Sequence, residues 1–460
     1  MKRERKKKGS AKALGKGRRE LSEALMDGLR GVFGGLEEAR AGANVRFAMG
    51  EIAMTAYSVF HMQSASFLEA QRRLRSLFGG DNARRFFRIG RIPGDEQVRK
   101  VLDRVPTGEL LAAYDAVHAE MEGRGLLEGF GFLGGMRLVA LDGTWYFCSE
   151  KIGCGNCTTR MRSDGTLEHY HSAVTPALVS PDVRGLAVPL RPEFIVPQDG
   201  SEKQDCEINA AKRFLEKNGE RYNRRGKGGA VLLGDDLYSR APFIRQAMLH
   251  GFHFIFTCLE ESHGHLYKWL APLDAAAGLA KLARRRTPSP GRREKWELRY
   301  ANGVPLNGEE GAPKVNWISA RVTNERGKVY ACAWVTDIEI TEANALDVAR
   351  AGRSRWKIEN EHNNTLKRRG YHLEHNFGHG SANLSCNMAA LNILSFLVHT
   401  AMHLGDETYR RLREVLATRR KFFLSVSVLS EFQVWESWPA LLAFMLDAKL
   451  NGPKPHPSIG

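Results

Sequence analysis

Three acidic residues stand where side chains could hold metal ions. Asp142 follows the apolar run Met136-Arg137-Leu138-Val139-Ala140-Leu141 and precedes Gly143-Thr144. Asp235 follows Ala230-Val231-Leu232-Leu233-Gly234, with Asp236 directly after it. Glu359 lies in Arg355-Trp356-Lys357-Ile358-Glu359, inside a helical pattern, with Glu361 two residues on. Hard divalent cations take oxygen ligands, and magnesium is usually held by one or two carboxylates together with waters and phosphate. A pair of such ions sharpens an attacking water or 3′-hydroxyl and stabilises the leaving oxygen of a phosphodiester. The expectation is that Asp142 bridges both ions, Asp235 serves one and Glu359 the other. Asp236 and Glu361 remain alternatives, because the sequence alone does not say which of each pair faces the ions.

Each acid also has an ordinary reading. Asp142-Gly143 is a common hairpin-turn dipeptide, Asp235-Asp236 could cap the helix that follows, and Glu359 could pair with Arg355 one turn earlier. The order of the three, two at strand ends and one on a helix, favours joint action.

The chain that carries them has 460 residues, with 68 Lys+Arg against 52 Asp+Glu and a net charge of +16. Such an excess favours a polyanionic partner through counterion release. Residues 1–20 concentrate Lys and Arg against Glu4 and Glu20, which reads as a disordered basic arm. No apolar stretch follows those charges, so no secretory signal is expected. Nor does any window read as 18 uncharged apolar residues, so no membrane partner is expected. Seven scattered cysteines suit a reducing cytoplasm better than a disulfide framework.

Residues 21–130 show apolar positions at three-to-four spacing, broken at Gly79-Gly80-Asp81 and Ile92-Pro93-Gly94-Asp95. This predicts a helical DNA-binding region, with seven arginines between Arg72 and Arg91 as a possible contact face. Residues 131–259 change period. Strands are predicted over 138–147, 170–179 and 186–195, then a helix over 202–215, a strand over 230–234, a helix over 241–250 and a strand over 252–258. This is the element order of an α/β ribonuclease-H-like core with a mixed sheet. Residues 260–340 read as a β-rich insertion around a basic, Pro-containing loop at 281–293. Residues 341–380 supply the helix bearing Glu359, from an N-cap at Thr341 to about Arg368, and a closing loop. Residues 381–460 read as a helical C-terminal region.

With those elements in place, Asp142-Gly143-Thr144, Asp235-Asp236-Leu237-Tyr238 and Arg355-Trp356-Lys357-Ile358-Glu359 resemble the cut-and-paste DDE transposases of bacterial insertion sequences. The subgroup in question has a β-strand insertion before the last acid. Its helix signature reads Tyr, two residues, Arg, three residues, Glu, six residues, Lys. Here the Tyr position falls on Gly352, and the Lys position on Leu366, with Lys367 one residue further. The resemblance implies a transposase that binds terminal inverted repeats, cuts them and joins them to target DNA. It further implies two Mg2+ or Mn2+ ions on Asp142, Asp235 and Glu359, and a homodimer at the paired ends. Arg355, Trp356, Lys367 and Arg368 would contact DNA, and the setting would be the bacterial cytoplasm, at the nucleoid. A metal-dependent nuclease without strand transfer, or a degenerate relative that only binds DNA, are the alternatives.

Two further motifs stand apart. Cys154-x2-Cys157-x11-His169-x-His171 could form a zinc knuckle between the first two strands. Trp296, Trp317 and Trp334 could stack on a flipped base, although core packing is the commoner use of tryptophan.

Overall fold

The computed structural model describes residues 19–41, 45–197, 205–224, 229–276 and 278–452. The basic arm therefore lies, up to residue 18, outside the described residues. Seven helices come first: α1 (Leu21–Gly34), α2 (Met49–His61), α3 (Phe67–Leu74), α4 (Gly79–Phe87), α5 (Asp95–Leu102), α6 (Thr107–Leu110) and α7 (Ala112–Gly123). Four more close the chain: α13 (Leu384–Gly405), α14 (Glu407–Val415), α15 (Arg419–Phe432) and α16 (Trp438–Asn451). The two sets, separate in the sequence, share one core. Leu29, Ile52, Tyr57, Phe87 and Val117 pack in the same cluster as Leu391, Leu394, Phe423 and Leu441.

α13 corrects one expectation. Its 22 residues carry no Asp, Glu, Lys or Arg and are long and apolar enough to cross a membrane. In this structure the helix is buried, and every residue from Leu384 to Met402 is covered. An all-round apolar helix fits that setting, because it needs neighbours on every side.

Between the helical sets lies a mixed sheet. In chain order the strands of this sheet and of a smaller second one begin β1 (Gly131–Phe132), β2 (Met136–Ala140), β3 (Gly143–Ser149), β4 (Thr158–Met161), β5 (Leu167–Val174), β6 (Ala177–Val179), β7 (Val188–Pro189) and β8 (Glu193–Ile195). Next come α8 (Glu207–Arg224), β9 (Ala230–Gly234), α9 (Ala241–Leu249), β10 (His253–Thr257) and α10 (Gly264–Ala275). The large sheet runs β7-β6-β2-β9-β10, with β9 parallel to both β2 and β10 and β6 antiparallel to β2.

Each of the first three expected strands breaks in two. The β2–β6 register (Ala140↔Ala177) continues without a shift into β3–β5 (Gly143↔Val174), so one hairpin passes from the large sheet into a second one, β4-β5-β3 with β8 on β5. The break falls at Asp142 and Thr175, joined by a Thr175 N–H donated to the Asp142 carbonyl at 3.0 Å. Asp142-Gly143 is thus not a hairpin turn, since the chain runs straight on into β3.

The insertion extends the same sheet. β11 (Ala280–Ser289), β12 (Arg292–Pro305), β13 (Lys314–Asn324) and β14 (Val329–Thr336) form an antiparallel run joined to β10 through β14. The basic stretch at 281–293 is therefore mostly strand, not loop. β11 is an edge strand, where a proline such as Pro288 costs no ladder bond on its free side. Trp296, Trp317 and Trp334 are buried at 1–3% exposure, so they are core residues with no free face for a base.

Candidate functional site

Strand parity selects the site's face. Leu138, Ala140, Val231, Leu233 and Ile255 point to one side of the sheet, and Val139, Leu141, Leu232 and Phe254 to the other. Side chains alternate along a strand, so Asp142 continues the Leu138–Ala140 row and Asp235 the Val231–Leu233 row. β2 and β9 run parallel with Ala140 opposite Leu233, and Leu141 donates its N–H to the Leu233 carbonyl at 2.8 Å. The two aspartates thus extend neighbouring strands in step, one strand spacing (roughly 4.8 Å) apart.

The third acid descends onto that same face. α11 (Ala345–Arg353) packs Val348, Ala349 and Ala351 against it, and Ile358 follows, fully buried in the same cluster. The helix begins at Ala345 rather than directly after Thr341. Thr341 and Asn344 exchange side-chain and backbone hydrogen bonds at 2.8 and 3.3 Å and hold the entry. It is not regular either: Ile358–Asn363 is a π-helical turn, after which α12 (Asn364–Arg368) resumes. Such turns widen the spiral by one residue and are frequent at functional sites. Here the wide turn carries both Glu359 and Asn363. The Asn363 amide donates to Asp142 Oδ2 at 2.7 Å, and its Oδ1 accepts from the Thr175 hydroxyl at 2.9 Å.

Arg355 reaches Glu359 across one helical turn, at 2.6 Å. It is the cation that opposes the negative charge on Asp142 and Asp235. The alternatives separate by their partners. Asp236 accepts from Leu259 N–H at 2.9 Å and lies near His263 and Arg240, where it fixes the loop after β10. Glu359 and Asp235 are among the main charges acting on Asp142, while Asp236 acts on its neighbour Asp235.

A fourth carboxylate enters that the sequence reading did not single out. Glu207, the first residue of α8, accepts at Oε1 from Gly143 N–H (3.0 Å) and from the Tyr238 hydroxyl (2.7 Å). A Cβ at position 143 would overlap its carboxylate, which explains the glycine after Asp142. Burial, then the charges of Glu207 and Glu359 and, more weakly, Asp235, push the Asp142 carboxyl up to about 7, against the opposing charge of Arg355. Burial also raises Asp235 and Glu207. Four carboxylates with one arginine among them form a concentration of negative charge that a divalent cation would relieve. No spacing signal marks Glu207, since Glu202 and Asp205 lie close by in sequence. Asn363 had a weak signal, one turn beyond Glu359.

The other expected residues divide. Trp356 is exposed beside Arg355, and Arg368 is exposed at the end of α12. Lys367 is held by Glu374 at 2.9 Å. Lys357, within the signature, is buried and donates to the Ser180 carbonyl at 2.6 Å and to Val183, so it ties the helix to the loop after β6. At the signature's Tyr position, a Cβ on Gly352 would lie 2.7 Å from the Trp334 indole, so the insertion's own core occupies that space.

No family model matches the chain, and no curated protein matches it. Among solved structures it is similar to one described as the cryo-EM structure of piggyBac transposase synaptic complex with hairpin DNA. The TM-score is 0.37 and the identity 8%, over 95% of this chain and 80% of that one.

Away from the acids, Cys154, Cys157 and His171 converge as the spacing predicts, but the fourth donor is His379, not His169. His169 and His171 share one face of β5. His169 stands one step further out, where its ring closes over Gly153. His379 arrives from the loop between α12 and α13, over two hundred residues away in sequence.

Proposed function

We propose that this chain is a DNA transposase of the DDE class, acting on transposon ends and target DNA. Its catalytic carboxylates would be Asp142, Asp235 and Glu359 on a ribonuclease-H-like core. The strand order β7-β6-β2-β9-β10, with β6 alone reversed among them, supports that core. The observation that carries the reading is the placement of Asp142 and Asp235 in step on one sheet face, beneath the helix that brings Glu359. Burial and then charge coupling, which lift Asp142 to about 7, accompany it.

Asp142, Asp235 and Glu359 would hold two Mg2+ or Mn2+ ions, and the donor set fits: all oxygen, partly buried and short of positive charge. Bound there, such ions supply an activated oxygen nucleophile and charge neutralisation at the leaving oxygen. The chain's own residues do the positioning. Asn363 fixes the rotamer of Asp142, and Tyr238 with the Gly143 amide fixes Glu207. Arg355 balances the carboxylates from the helix side and is placed to meet a phosphate, with Trp356 exposed next to it for a base or sugar. The net charge of +16 supplies the non-specific attraction to DNA. A homodimer would bring two ends together.

The test uses the DNA flanking the gene as end substrate, with supercoiled target and Mg2+ or Mn2+. Cut ends joined to target, lost in Asp142→Ala while end binding persists, is the expected result. Cutting without joining would make the protein a nuclease. Binding without cutting would leave only a DNA-binding protein.

A further inference from the structure

We propose that Cys154, Cys157, His171 and His379 form a structural zinc site that ties the β3–β5 sheet to the loop following the Glu359 helix. The four donor atoms lie within 4.8 Å of one another. Sγ of Cys154 and Cys157 are 3.8 Å apart, and His171 Nε2 lies 3.5 and 3.4 Å from them. His379 Nε2 lies 3.4 Å from Cys157 Sγ. A tetrahedron with zinc–sulfur bonds of about 2.3 Å and zinc–nitrogen bonds of about 2.05 Å has sulfur–sulfur edges of about 3.8 Å and sulfur–nitrogen edges of about 3.6 Å. These four edges match to within about 0.2 Å and the remaining two lie within 4.8 Å, so an ion would enter by closing the His379 side of the set.

The donor chemistry narrows the ion. Two thiolates and two imidazoles suit zinc and not magnesium or calcium. The backbone is also prepared: Cys154 N–H points to Cys157 Sγ at 3.4 Å, and Cys157 N–H donates to the Cys154 carbonyl at 3.1 Å, closing a tight turn. Both rings turn Nε2 toward the sulfurs, and Nδ1 of each is buried without a hydrogen-bond partner among the described residues. With four protein donors no position stays open, so the site is structural. Its location gives it a task. The His379 loop begins after α12, and Asn156 donates to the Ala382 carbonyl at 2.6 Å beside it. The site would clamp the segment downstream of Glu359 onto the strand extension that starts at Gly143.

Full-length protein, purified without chelator, should contain about one zinc per chain by elemental analysis. Cobalt exchanged into it should give tetrahedral d–d bands with thiolate charge transfer. Cys157→Ser and His379→Ala should lose the ion, and His169→Ala should keep it. His379→Cys should retain cobalt and raise charge-transfer intensity roughly as three thiolates to two, a signature that altered folding would not produce. The proposal is overturned by protein without stoichiometric zinc that also fails to take up cobalt, or by a Cys154–Cys157 disulfide in reduced buffer. It is equally overturned if His169→Ala loses the ion while His379→Ala retains it. None of these readouts depends on DNA cleavage.

Discussion

The side-chain amide of Asn363 donates to Asp142 Oδ2 at 2.7 Å, linking the π-helical turn that also carries Glu359 to the break between β2 and β3. Because Asn363 Oδ1 also accepts from Thr175, opposite Asp142 across the hairpin, one residue fixes helix and both strands at once. A hydrogen bond to a charged group is worth about 1.5–3 kcal/mol.

Asn363→Ala should therefore lower the rate of strand cleavage about ten- to hundredfold while leaving affinity for DNA ends unchanged, because each 1.4 kcal/mol is about tenfold in rate. Single-turnover cleavage beside an end-binding titration checks this. Equal losses in both would make Asn363 a folding residue rather than a positioning one.

The contribution of Asp142 to the stability of the metal-free protein should fall as pH rises, opposite in sign to that of the histidines buried neutral, His61, His362 and His399. The Asp142 carboxyl is raised from the usual carboxylate value to about 7 by burial and then by Glu207, Glu359 and Asp235. Between about pH 4 and 7 the folded chain holds a proton that the unfolded chain has lost, so folding is penalised progressively as pH passes through that window. The effect is on the order of a few kcal/mol at most. Thermal melts of wild type and Asp142→Asn without metal from pH 5 to 8 should diverge, the wild-type Tm falling relative to the variant's as pH rises, and Mn2+ should restore the wild type most at the alkaline end. A Tm difference that does not change with pH would contradict the charge crowding.

Glu207→Gln preserves acceptors for Tyr238 and the Gly143 amide but removes the carboxylate with the largest charge effect on Asp142. The variant should be more stable than wild type without metal at pH 8, and should bind Mn2+ about tenfold more weakly, a loss typical of residues that support metal ligands. Calorimetric titration decides it; unchanged affinity would confine Glu207 to packing.

Gly352→Ala should cost about 1–3 kcal/mol, because the new methyl would stand 2.7 Å from the buried Trp334 ring. Denaturant unfolding followed by tryptophan fluorescence measures it. A neutral effect would mean that the β14–α11 contact yields easily.

Much of the fold was legible because periodicity changes where the architecture changes. The three-to-four spacing before residue 130 gave helices, and the apolar runs before Asp142 and Asp235 gave parallel strands buried on both faces. The strand breaks were not legible. Leu138 to Phe147 is continuous in composition, and only the third strand and Glu207 reveal that the hairpin changes sheets at Asp142. The basic stretch from Lys281 looked like a loop because charge masked its alternation, in which Leu282 turns inward between exposed Lys281 and Ala283. Leu384–Gly405 does not stand out in the sequence as a membrane-length apolar stretch because its Asn, Ser, Thr and His residues dilute the apolar pattern without adding formal charge. At the cysteine pair, local spacing offered His169, whereas the fold brought His379 from far along the chain. Long-range donors of that kind have no signature in one sequence.

The most direct test of the account is hydroxyl-radical mapping with Fe2+ in place of Mg2+, using ascorbate and peroxide to cut the backbone beside the bound ion. Cuts near residues 142, 235 and 359, suppressed together by excess Mg2+ and lost together in Asp142→Ala, are the predicted result. Cuts at one of these positions alone, or none that Mg2+ displaces, would contradict a shared metal site.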